Sequence, residues 1–241
     1  MSANYEELDF RATPLGDLML RRRRMLQVGD LDIYEVKLGD YFLMSSLFHE
    51  AEVQLAKLAL GGLEKDELDV VVGGLGLGYT ASSALEDKRV SSLVVVDVLE
   101  AVMEWHQDGL VPLGKALMED PRCRFVHADF FALARDAAKS FDPERPAIQH
   151  DAILLDIDHT PTKVLHQANA RFYTEEGLGE LAQHIKPGGV FALWADGAPE
   201  ASFTDHLGKM FARAESHTIE FANPITGGTS KGAVYVSRTR L

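Results

Sequence analysis

Three aspartates, Asp97, Asp129 and Asp156, each follow a short apolar run with strand character. A carboxylate so placed can accept hydrogen bonds from ribose hydroxyls or a purine amino group, or take a proton from a nucleophile. Ahead of them stands Asp69-Val-Val-Val-Gly-Gly-Leu-Gly-Leu-Gly78, in which a valine run feeds a glycine-dense turn. Glycines at the carboxyl end of a strand let backbone come close to a ligand, because no Cβ intervenes. Asp97 lies about twenty residues further on, the spacing at which an acid meets the two hydroxyls of a ribose. The combination predicts a nucleoside-containing cofactor. The loop alone leaves two kinds open: Gly76-Leu-Gly78-Tyr-Thr-Ala81 fits a dinucleotide fingerprint with alanine as its last member, and the reading from Gly74 is the Gly-x-Gly-x-Gly of S-adenosylmethionine sites.

Alternating elements must carry these residues. Strands are expected at 69–73, 92–97, 123–128, 151–156, 188–195, 216–221 and 232–237, with helices at 79–87, 99–107, 130–139, 171–185 and 199–214. Such alternation predicts an α/β fold: a Rossmann-like, doubly wound, mostly parallel seven-stranded sheet covered on both faces. The last two strands are joined by Asn223-Pro-Ile-Thr-Gly-Gly228 without a helix, which predicts an antiparallel carboxyl-terminal hairpin. Residues 1–45 read as a small amino-terminal β ribbon with strands at 18–24, 31–37 and 41–44, and 46–241 as the main domain, opening with a helix over 46–60. The arginines at 21–24 are expected on a solvated ribbon edge. Asp97 and Asp129 also suit the capping of the helices that follow them. Trp105 and Trp194 are expected as core or pocket wall.

Composition narrows the function. A net charge of −13 argues against nucleic acid as partner and favours a cationic small molecule. The single Cys123 fits a reducing cytoplasm and excludes an internal disulfide framework. No apolar run approaches the ~18 residues of a membrane span, and the start, Met-Ser-Ala-Asn-Tyr-Glu-Glu, is expected to be neither a secretory signal nor a transit peptide. His159 and His166 are not joined by a compact ligand set, so no metal is expected.

From about residue 31 onward the chain resembles the spermidine synthase family, the polyamine aminopropyltransferases on the class I methyltransferase fold. Gly73-Gly-Leu-Gly-Leu-Gly78 is similar to the family's Gly-Gly-Gly-Asp-Gly-Gly, and Asp97, before Glu100-Ala-Val102, stands where the family has its ribose-binding glutamate. Ala128-Asp129 resembles its Gly-Asp pair at the adenine, and the stretch from His150 to Asp156 its Tyr-Asp-x-Ile-x-x-Asp strand. Phe172-Tyr173, Lys186-Pro-Gly-Gly189 and His49-Glu50 complete the likeness. The resemblance implies Asp156 as the catalytic base. It implies Gly73, Gly74, Gly76, Gly78, Asp97, Asp129 and Phe130 around the adenosyl donor, and His49, Glu50, Asp158 and His159 around the acceptor. It also implies a homo-oligomer, dimer or tetramer.

The departures lie in the amine half. The family's glycine-loop aspartate, which contacts the amine of the decarboxylated donor, falls at Gly76; its second aspartate, three residues after the base, falls at His159. Loss of an acid beside the donor's tail removes a penalty on a carboxylate there. The expectation is therefore a transferase working from an adenosyl sulfonium donor on a small amine-bearing acceptor, with methyl transfer from S-adenosylmethionine preferred. Aminopropyl transfer from decarboxylated S-adenosylmethionine is the alternative. An NAD-dependent oxidoreductase and a non-catalytic nucleoside-binding protein are the further rivals.

Overall fold

The computed structural model describes residues 4–145 and 149–241, so the first three residues of the expected ribbon lie outside the described residues. The chain opens with strands β1 (Tyr5–Thr13), β2 (Gly16–Met25), β3 (Leu31–Leu38) and β4 (Tyr41–Ser45), an antiparallel sheet in the order β1-β2-β3-β4. Strand β1 adds to the expected ribbon, because Glu6, Glu7 and Asp9 make it look like a polar terminus. Its acids are complementary to β2: Glu6 faces Arg22 in register and pairs with it at 2.5 Å. The arginines at 21–24 consequently lie on an interior strand rather than an edge. Arg21 and Arg23 both bind Glu35, which is 3% exposed, and Arg24 binds Asp30.

Beyond the ribbon come α1 (Glu50–Gly61), β5 (Leu68–Gly73), α2 (Tyr79–Glu86), β6 (Val90–Asp97), α3 (Glu100–Gln107), α4 (Gly114–Glu119), β7 (Cys123–His127), α5 (Phe130–Ala134) and β8 (His150–Leu155). The order continues with α6 (Glu175–Ala182), β9 (Ile185–Asp196), α7 (Ala201–Met210), β10 (Arg213–Asn223) and β11 (Gly228–Arg238). The seven strands β5 to β11 form one sheet in the order β10-β11-β9-β8-β5-β6-β7, parallel from β9 to β7 and antiparallel where β11 joins β9 and β10 joins β11. This is the expected Rossmann-like sheet with its carboxyl-terminal hairpin. Helix α4 is additional to the expected elements. The helix foreseen over 171–185 is shorter: a 3-10 turn occupies Gln167–Tyr173, and α6 starts where Thr174 accepts the amide of Gly177.

Period-two alternation along the buried strands divides the core between the two faces. Val70, Val72, Leu93, Val95, Ala152 and Leu154 pack with α1, α2, α3 and the ribbon residues Leu18, Leu20, Val36 and Leu38. Val71, Val94, Ile153, Leu155 and Phe191 pack with α5, α6 and α7 on the other side. The ribbon therefore shares a core with the large sheet and stands over one face of it. Chain order reverses at β5, which lies between β6 and β8, so the crevice beyond the carboxyl ends of β5 and β8 is the switch point where such sheets bind ligands.

Candidate active site

A cavity of about 350 Å³ opens at that switch point, between the ribbon side chains Leu15, Val36, Leu38, Leu43 and Met44 and the strand ends that carry the glycine loop, Asp97 and Asp156. The floor depends on close approach of two strands. The Asp156 amide donates to the Gly73 carbonyl at 2.8 Å, and Gly74 has φ +95°; a Cβ on Gly74 would overlap the Asp156 carbonyl oxygen. A Cβ on Gly73 would meet the Phe130 ring at 2.6 Å. Gly78, in the left-handed region at φ +91°, starts α2 and lies against Leu117 and His106.

Asp97 is bonded to the loop it serves. It accepts the Leu75 amide on one oxygen and the Leu99 amide on the other, both at 2.8 Å. Burial raises its pKa, and the backbone N–H groups of Leu75, Leu99, Gly76 and Val98 oppose that rise. Asp97 also lines the cavity. His106, 1% exposed, braces the loop from beneath by donating from Nε2 to the Gly76 carbonyl at 3.0 Å. Burial lowers its pKa, which keeps the ring neutral.

Asp129 caps α5, accepting the Ala132 amide at 3.1 Å, and also lines the cavity. Phe130 follows it and lines the same cavity. At 2% exposure it belongs mainly to the aromatic core, stacked on Phe141 at 4.9 Å, and its ring fills the space Gly73 leaves. Val98, 47% exposed beside Asp97, supplies an open apolar wall that sequence reasoning missed; an exposed valine directly after a strand-end acid was its signal.

The amine half differs most from expectation. Asp156 lines the cavity and accepts the Thr80 hydroxyl at 2.7 Å. Burial pushes it up to about 6, against the pull of Thr80. Glu52, not singled out from the sequence, lies opposite on the first turn of α1. Burial first and the Asp156 charge second push it up to about 8. His159 lines the cavity, with its pKa lowered by burial. Glu50 is exposed and turned back onto the His49 amide. His49 stacks on Tyr79 at 4.1 Å, and Tyr79 rather than His49 reaches the cavity. Asp158 is corrected as an amine contact. It is 1% exposed and taken up by the Leu165 amide, Asn169 Nδ2 and the Tyr173 hydroxyl, so its charge organises the loop after β8.

The cavity wall carries the carboxyls of Glu52, Asp97, Asp129 and Asp156 and, among the described residues, no lysine or arginine. The four carboxyls would repel the two negative charges of a diphosphate in the same space, which disfavours the dinucleotide reading of the loop. Trp194 stands in the wall, and Trp105 is buried with its indole donating to Asp9 at 2.7 Å. Among the described residues no group of three His, Cys, Asp or Glu converges as a metal site, and no helix is long and apolar enough to cross a membrane.

No family model matches the chain. Solved structures similar to it include a spermidine synthase in complex with the transition state analogue AdoDATO: 16% identity, 96% of this chain and 73% of that one, TM-score 0.73. The spermidine synthase of Thermotoga maritima matches at 16% identity over 96% of this chain and 72% of that one, TM-score 0.71. A probable spermidine synthase from Corynebacterium glutamicum matches at 12% identity over 98% and 80%, TM-score 0.61. The chain has the spermidine synthase-like fold. These matches also correct the preference for methyl transfer drawn from Gly76: the similar structures are spermidine synthases, and the acidic wall gives no partner to the carboxylate that S-adenosylmethionine would bring.

Proposed function

We propose that the protein is an aminopropyltransferase, moving the aminopropyl group of decarboxylated S-adenosylmethionine to a small cationic amine. One observation carries this reading: the switch-point cavity of a spermidine synthase-like fold is walled by four carboxyls, Glu52, Asp97, Asp129 and Asp156, without a lysine or arginine among the described residues. Donor and acceptor are both cations, so such a wall suits the pair and disfavours anionic substitutes.

The residues present fit the donor. The glycine loop brings backbone to the cavity wall at Gly74, Leu75 and Gly76, Asp97 stands in that wall at a strand end where an acid can meet a ribose, Asp129 can accept from an adenine amino group, and Val98 offers an apolar surface for the base. When bound, the donor supplies a carbon already activated by its sulfonium leaving group. The protein must then orient an amine and relieve it of a proton. Asp156 is suited to that proton transfer, because Thr80 holds one carboxylate oxygen and the raised pKa brings the base nearer neutrality without protonating it fully.

Incubation with decarboxylated S-adenosylmethionine and a series of aliphatic diamines and polyamines, followed by chromatography for methylthioadenosine, tests the reading. Methylthioadenosine should form in step with an aminopropylated amine, and Asp156→Asn should lower kcat by about 10²–10⁴ as expected for loss of a general base, while leaving methylthioadenosine binding intact. No product with any amine, or turnover unchanged in Asp156→Asn, would refute it.

A further inference from the structure

Three of the wall carboxyls stand at or just beyond strand ends of the large sheet, where the adenosyl donor and the base are placed. Glu52 comes from elsewhere, the first turn of α1, and is 7% exposed on the buried stripe that Leu55, Ala56 and Ala59 continue. Among the described residues no lysine, arginine or histidine pairs with it. The groups facing it are Asp156 from the end of β8, Glu50 on its own helix and Tyr79 from α2; none is a cation. Leaving a buried carboxylate unpaired is costly. A protein that keeps one in a cavity wall either holds it neutral or completes it with a cation from outside.

The two positions where the resembled family places acids for the amines are closed to that use here. At Gly76 the backbone has φ +47° and the Met44 sulfur occupies the space a Cβ would need, while Met44 also accepts the Leu77 amide at 3.1 Å. The other position holds His159, an imidazole in the cavity wall. Glu52 stands over the same space with the right charge.

We propose that Glu52 determines amine specificity: its carboxylate, beside that of Asp156, receives the terminal primary ammonium of an aliphatic chain in place of the acids that Gly76 and His159 no longer supply. The proposal rests on the aminopropyl-transfer reading. Before an amine arrives Glu52 holds a proton, since burial and Asp156 both disfavour its charge; arrival of the ammonium releases that proton to solvent and leaves an ion pair. The ammonium can belong to the donor's aminopropyl tail or to the acceptor.

Calorimetric titration separates these sources. Methylthioadenosine, which lacks an ammonium group, decarboxylated S-adenosylmethionine, and 1,4-diaminobutane added with methylthioadenosine are each bound to the wild type and to Glu52→Gln and Glu52→Asp at pH 7. Methylthioadenosine should bind all three alike. Glu52→Gln should weaken an ammonium ligand by about tenfold or more, with Glu52→Asp between, and titration in buffers of different ionisation enthalpy should show a proton released by the wild type and none by Glu52→Gln. Loss confined to the decarboxylated donor places Glu52 at the donor's tail, and loss confined to the diamine places it at the acceptor. Unchanged affinity for both, or an equal loss for methylthioadenosine, overturns the proposal while leaving aminopropyl transfer standing if the wild type turns over. A wild type that binds methylthioadenosine and neither ammonium ligand overturns both.

Discussion

The close approach of β5 and β8 that makes the crevice can be measured with two alanine substitutions. Gly74→Ala places a Cβ 2.9 Å from the Asp156 carbonyl carbon and 3.1 Å from Ile157 Cγ1, overlapping the carbonyl oxygen, at φ +95°. Gly197→Ala meets the same kind of backbone, φ +78°, but nothing lies within 4 Å of its Cβ. Both variants carry the left-handed penalty of about 1–2 kcal/mol and the same gain from a stiffer unfolded chain. Only Gly74→Ala must also push a strand end aside. The nearest contacting atoms are the backbone carbonyl of Asp156, directly after a buried parallel strand, and cannot swing away, so a further ~1–3 kcal/mol is expected, as for overpacking in a core. Urea denaturation should give a clearly larger loss for Gly74→Ala, and methylthioadenosine affinity should fall in that variant while Gly197→Ala retains it. Equal destabilisation of the two, with affinity preserved in both, would refute the claim that glycine is needed there for the strands to meet.

Two further outcomes follow from the carboxyl pair. Thr80→Val removes the hydroxyl that donates to Asp156 at 2.7 Å and opposes the rise caused by burial, so the Asp156 pKa should climb and the acid limb of kcat/KM should move to higher pH; an unmoved limb would show that Asp156 does not set it. Glu52 and Asp156 have folded pKa values raised to about 8 and about 6 from 4.5 and 3.8, so each binds protons more tightly in the folded state. Their stabilising contribution is complete below the unfolded values and is lost as pH rises through the folded ones. Without an amine bound, the protein should therefore lose stability, on the order of a few kcal/mol, between about pH 4 and about pH 8. Glu52→Gln should flatten most of that fall in urea midpoints; an unchanged slope would count against a buried, proton-holding Glu52.

Much of the fold was legible because strand runs such as residues 93–96 and 152–155 are apolar throughout and end at glycine or aspartate, a pattern that long-range packing does not override. Strand β1 was hidden because its charges make sense only opposite the arginines of β2, a partnership no local window contains. That the glycine loop, Asp97 and Asp129 meet at one cavity was readable for the same reason as the sheet: each is fixed by a strand end. Asp158 misled, since a strand-end acid can turn into its own loop as readily as into the cavity, and the donors that claim it, Asn169 and Tyr173, come from the 3-10 turn downstream. Glu52 left one trace in the sequence: a carboxyl on the same helical stripe as Leu55, Ala56 and Ala59, where an apolar residue belongs. The adjacent His49-Glu50 pair carries the family likeness and masks it.

Gly76 and Glu52 are connected through one stretch of chain, from β4 into α1. Met44, at the end of the ribbon, stands over Gly76 and occupies the space through which an acid on that loop would have to extend. The next element after β4 is α1, and its first turn delivers Glu52 to the same cavity. A negative charge moved from the glycine loop to α1 serves a cation equally well, because Coulomb attraction in a low-dielectric cavity depends on distance and sign, not on which element supplies the carboxyl. On the proposed reading, the carboxyl that meets the ammonium comes from the first turn of α1 instead of from the glycine loop, so a glycine at position 76 is compatible with a cationic ligand.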